Sequence, residues 1–138
     1  MKQQRRVVID ASAVLAMMLP DERQRIALPL ESLIADDTIF AAPDLLRYEV
    51  MNALMFAQRS ARIQTKHLYE IWSLLHEMNI QYSAVSNWEE LYSTAQEHDL
   101  TVYDAAYLQL AVTQKAQLLT EDRELFQVAQ NLEIALCS

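Results

Sequence analysis

Apolar positions along the chain switch repeatedly between short continuous runs and the i, i+3, i+4 spacing of amphipathic helices. Val7, Val8 and Ile9 form one such run and read as a short buried strand, after which the spacing beyond Ser12 reads as a helix. Residues 21–36 read as a helix through Ile26, Leu30, Leu33 and Ile34, kinked or divided at Pro29. A second strand over 38–41, stopped by Pro43, precedes a strongly helical stretch over 45–60. Thr65 caps the next helix, whose stripe of Leu68, Ile71, Trp72, Leu75 and Met78 is assigned to the core. Residues 80–85 read as a strand, and Ser86 with Glu89 forms a capping box that opens a helix to His98. A helix over 102–113, a strand over 117–120, a short helix over 122–130 and a last strand over 132–136 complete the pattern.

Strands therefore alternate with helices throughout, which implies a mainly parallel sheet with helices on both faces and right-handed crossovers. With 138 residues, 52% of them hydrophobic, the chain suits one domain over 1–138 with a substantial core. Lys2, Arg5 and Arg6 before an apolar run imitate the start of a signal peptide, but Asp10 interrupts that run early. No stretch approaches the roughly 18 apolar residues of a membrane span, so a soluble protein is expected. The single Cys137 offers neither a disulfide framework nor a thiolate metal site; it reads as a small terminal hydrophobe in a reducing cytoplasm.

Composition removes several functions. The sequence has no glycine, which excludes Gly-rich phosphate loops of the Walker and dinucleotide kinds and assigns the left-handed helix ends to Asn79 and Asn131. A net charge of −8 argues against diffuse attraction to nucleic acid. Locally, no acid lies between Val50 and Tyr69, where Arg59, Arg62 and Lys66 fall; they are candidate phosphate contacts, though a solvated turn has the same composition. The 45–60 helix is apolar nearly all round, with Met51, Met55 and Phe56 in addition to Leu46, Val50, Leu54 and Ala57. Such a surface predicts another helix or a second copy against it, most simply a symmetric homodimer.

Most of the 19 acids lie on polar faces or in turns. Four do not. Asp10 and Asp122 each stand where a strand ends and a helix begins, Asp104 lies at the start of a helix, and Glu49 sits among Leu45, Leu46, Ala53 and Phe56. Taken singly, the three aspartates fit helix caps and Glu49 fits an ion pair with a distant cation; Asn52, at i+3, is placed to support Glu49 by a hydrogen bond. Taken together, they converge, because parallel strands bring their exits and the following helix starts to one edge, where ligands bind. Two carboxylates about 4 Å apart at an effective dielectric of about 20 repel by ~4 kcal/mol, so such a cluster needs protons or a cation. Hard oxygen donors without thiolates select Mg²⁺ or Mn²⁺, and His67, His76 and His98 show no zinc spacing.

VVIDASAVLA, YEVMNAL, LTVYDAAYLQLA and LLTEDREL, in this order, resemble the PIN-domain ribonucleases, particularly the VapC-like toxins of bacterial toxin–antitoxin pairs, over essentially the whole chain. The resemblance implies a three-layer α/β/α sandwich and a Mg²⁺-dependent endoribonuclease, with RNA as substrate. It implies metal binding by Asp10, Glu49, Asp104 and Asp122, support from the Ser12 and Thr120 hydroxyls, a homodimer, and restraint by a small antitoxin. A metal-dependent phosphatase or phosphotransferase of the haloacid-dehalogenase type also begins with a strand ending in Asp, but needs a second Asp where this chain has Ser12. A catalytically inactive interaction domain on the same fold is the other alternative.

Overall fold

The computed structural model describes residues 4–21, 32–33 and 36–136. Most of the expected 21–36 helix, its Pro29 kink and Cys137 lie outside the described residues. The elements run β1 (Arg6–Ile9), α1 (Ala11–Met18), β2 (Ile39–Pro43), α2 (Leu45–Arg59), α3 (Thr65–Glu77), β3 (Gln81–Ser83), α4 (Trp88–His98), α5 (Val102–Gln114), β4 (Gln117–Leu119) and α6 (Arg123–Asn131). Strand order is β3-β2-β1-β4 and every pairing is parallel, with helices flanking the sheet as the alternating pattern requires.

β1 is central and reads as an unbroken apolar run because both its faces are covered: Val7, Val8 and Ile9 have no exposed surface. Its register places Val7 beside Phe40 and Val8 beside Ala41 on one side, and Val8 beside Leu118 and Ile9 beside Leu119 on the other. α5 packs on β1, β2 and β4. Tyr107, Leu108 and Ala111 join the core that contains the strands, while Ala105 and Ala106 pack with Leu91 and Ala95 of α4.

Several boundaries differ from the sequence reading. β2 runs through Pro43 instead of stopping before it, because Pro43 pairs with Ser83 at the strand's last position and its missing N–H is not needed further on. The cap of α3 is Gln64, in a reciprocal box with His67, and Thr65 is already helical. α4 is capped by Asn87, which accepts the Glu90 N–H; the Ser86–Glu89 box is thus displaced by one residue. Trp72 is 42% exposed and meets Tyr69 edge to face at 5.6 Å, so it borders the buried stripe of Leu68, Ile71 and Met78 and is not core. The expected last strand is a single bridge, Leu118 to Ala135, flanked by bonds from Leu118 to Ile134 and from Leu136 to Leu118.

Asn79 does take a left-handed conformation, φ 49°. Asn131 does not: α6 continues through it, and Glu133, φ 60°, makes the turn that lets Ile134 N–H reach Ala129 O. Without glycine, Asp99 and Lys115 also end helices in this region, at φ 54° and 53°.

Candidate active site

Asp10 follows the last residue of β1, and its own N–H still bonds to Leu119 O at 3.2 Å, extending the β1–β4 pairing. Its carboxylate therefore leaves the sheet at the carboxyl edge. It is 3% exposed, and burial is the chief cause of a pKa pushed up to about 6, with the Asp104 charge adding to the rise. Hydrogen bonds from Thr120, the Ala13 amide and Ser12 act the other way.

The sequence segment around Asp122 supplies two of these donors' supports. Ser12 Oγ donates to one Asp10 oxygen at 2.7 Å and Thr120 Oγ1 donates to the other. Each hydroxyl has one proton, and both are spent on Asp10, so the 3.2 Å approach of Ser12 to Thr120 is a contact between oxygens. Those oxygens accept the backbone N–H of Glu121 at 2.9 Å and of Asp122 at 3.0 Å. Asp10 is thereby locked to the β4–α6 turn through Ser12 and Thr120. Asp122 caps α6 through one oxygen, accepting the Leu125 N–H at 3.1 Å, which leaves its other oxygen free of that role.

Asp104 lies in the first turn of α5, whose cap is Thr101. Burial is the first cause of its raised pKa, followed by the charge of Asp122, with Glu49 and Glu124 contributing further. The charge of Asp104 thus reaches Asp10, and those of Asp122 and Glu49 reach Asp104. Glu49, half-buried on α2, accepts a 2.6 Å hydrogen bond from the phenol of Tyr107. Its hydrogen-bond partner is Tyr107; Asn52, exposed and lining the same depression as Glu49, makes no hydrogen bond to it.

Tyr107 escaped the sequence reading, although the signal existed. At i+3 from Asp104 it shares that residue's face, and a phenol amid Ala and Leu needs a polar partner. The backbone amides of Glu121 and Asp122 carry no such signal.

The basic segment divides. Arg62 is bound to Asp21 through Nε at 3.0 Å and a terminal nitrogen at 2.8 Å, so this guanidinium is engaged within the fold. Arg59 and Lys66 are exposed, and Arg59 borders the same open depression on α2 as Tyr48, Glu49, Asn52 and Met55.

Among the described residues, none of the four acids is paired with Lys or Arg, and no three His, Cys, Asp or Glu side chains already stand close enough to cage an ion. The donors nevertheless suit a hard cation: all are carboxylate oxygens, and their negative charge is uncompensated at one edge.

A PIN-domain family model matches residues 7–131. The chain belongs to the PIN-domain family. Within it, the chain is 32% identical over 124 residues to ribonuclease VapC3 of Pyrobaculum aerophilum, covering 87% of this chain and 92% of that protein. The crystal structure of PAE2754 from Pyrobaculum aerophilum superposes with a TM-score of 0.66 at 28% identity, covering 89% of this chain and 78% of that one. The PIN-domain fold accounts for the parallel sheet with its flanking helices. Among the described residues, no helix is long and apolar enough to cross a membrane.

Proposed function

We propose that this PIN-domain protein is a Mg²⁺- or Mn²⁺-dependent endoribonuclease and the toxin of a toxin–antitoxin pair. The observation that carries the reading is the placement of Asp10 and Asp122 beyond the ends of the neighbouring strands β1 and β4, tied together through Ser12 and Thr120. Similarity to ribonuclease VapC3 supports RNA as the substrate.

Asp10, Asp104 and Asp122 are assigned to holding the cation, directly or through water; Glu49 completes the cluster or orients the attacking water. A bound divalent ion supplies water activation and neutralises charge building on the phosphodiester. The protein's own groups prepare that chemistry. Ser12 and Thr120 keep both Asp10 oxygens oriented, burial keeps competing water from Asp10, and the acids' mutual repulsion makes an unoccupied cluster costly. Arg59 and Lys66 are the better-placed phosphate contacts, because the Arg62 guanidinium already faces Asp21.

Two partners follow. The exposed Tyr48, Met51, Met55 and Phe56 on α2 support a homodimer. An antitoxin able to silence an acidic cleft should present Arg, whose planar guanidinium pairs bidentately with carboxylates. Such a nuclease, held by such an inhibitor, belongs in the cytoplasm.

The testing experiment is incubation of the purified protein with cellular RNA and Mg²⁺ or Mn²⁺, with the new ends mapped. Internal cuts that cease with chelator are expected; hydrolysis of phosphomonoesters with RNA left intact would favour the phosphatase alternative. Copurification with the product of an adjacent reading frame, followed by cleavage assays with and without it, tests the antitoxin. A neighbour that does not bind, or binds without affecting cleavage, would indicate a stand-alone nuclease.

A further inference from the structure

Tyr107 is 1% exposed, in the middle of α5, between neighbours that are otherwise Ala and Leu. Packing alone would be met there by Phe, without the need to find a buried hydroxyl a partner. The partner found is Glu49 Oε1 at 2.6 Å, 58 positions away on a different helix. The backbone amide of Ala11, the residue after Asp10, acts to lower the phenol's pKa. Burial and the neighbouring Glu49 carboxylate push more strongly upward, so the phenol remains a proton donor. One hydroxyl thus joins two helices that carry acids: α2 with Glu49, and α5, where Asp104 lies one turn before Tyr107.

We propose that Tyr107 is a positioning residue of the acid cluster: its phenol fixes Glu49 through Oε1 and leaves Oε2 as the oxygen presented to a cation or to water. A glutamate on the side of a helix has several rotatable bonds and, half-buried, a choice between the cluster and solvent. A charge-assisted bond from a rigid, buried ring removes that choice, because the ring cannot follow the carboxylate outward. The bond also ties the separation of α2 and α5 to the site, which a purely apolar contact would do without regard to where the carboxylate points.

The inference rests on the nuclease reading, and the test separates the two. Tyr107→Phe keeps the ring and removes the hydroxyl. Its Mn²⁺ affinity, measured by calorimetry without RNA, is expected to fall about tenfold, and its kcat for RNA by about tenfold or more with KM within about twofold. In a Glu49→Gln background the same change should cause no further loss of Mn²⁺ affinity. Leu110→Ala, on the same helix and packed against the core, is the control for lost packing and should alter neither readout below its melting temperature. Wild-type Mn²⁺ affinity and kcat in Tyr107→Phe, with only a lowered melting temperature, would make the tyrosine merely structural and leave the nuclease reading standing. A wild-type protein that neither binds Mn²⁺ nor cuts RNA would overturn both.

Discussion

Asp10 is the residue on which burial and chemistry pull hardest against each other. Its carboxyl pKa is raised from the ordinary 3.8 to about 6, so the folded protein holds a proton there that the unfolded chain has already released. The sign follows from linkage: stability from this group is fully present below about pH 4 and is lost as pH rises through about 6, a difference of roughly 3 kcal/mol. Urea melts in chelator should show wild type losing stability relative to Asp10→Asn between pH 4 and 7, with Mg²⁺ restoring part of it; parallel curves would mean that the buried charge is compensated. The substitution also asks one hydroxyl to turn, since an amide nitrogen in place of an acceptor oxygen cannot receive the proton that Ser12 or Thr120 now donates. At this scale the candidate acids were legible, because an acid at a strand exit or amid apolar helix positions contradicts its surroundings. The hydroxyls' second role was not legible, as it depends on backbone amides of Glu121 and Asp122 brought in from the far end of the chain.

Single elements carry both structural and chemical duties, and α6 allows the two to be separated. Asp122 caps it through one oxygen. Asn caps about as well as Asp, so Asp122→Asn should preserve the melting temperature while weakening Mn²⁺ binding, whereas Asp122→Ala should lose both, the cap being worth about 1 kcal/mol. Equal metal affinity in wild type and Asp122→Asn would reduce this residue to its capping role. Helix ends also show where sequence reading fails. Asn79 was identifiable as a left-handed end, but the choice of Glu133 over Asn131 depends on α6 running one residue longer, and Asp99 and Lys115 give no local sign at all. Because Lys115 pays for φ 53° with a Cβ in the way, Lys115→Gly should raise stability by about 0.5–1 kcal/mol in denaturant melts. A loss would show that its side chain contributes more than the backbone costs. On α2, Phe56 is 71% exposed and Met55 49%. Phe56→Glu should convert a dimer to a monomer in sedimentation at micromolar protein; a wild type already monomeric there would remove the dimer proposal.

The whole molecule is an acidic protein asked to approach an acidic polymer. Its net charge of −8 repels RNA at long range, so the divalent cation proposed at the sheet edge would serve encounter as well as chemistry. Alternation of strand and helix made the parallel sheet readable from the sequence, and the sheet in turn explains why acids from opposite ends of the chain meet, since β1 and β4 are neighbours in space. The most direct test is therefore cleavage of RNA by wild type and by Asp104→Asn, each with Mn²⁺ and with chelator. Wild type is expected to cut only with the ion, and the variant, with an unchanged circular dichroism spectrum, to cut at least about a hundredfold more slowly. Undiminished cutting by Asp104→Asn, or by wild type in chelator, would contradict the acid cluster as the catalytic centre.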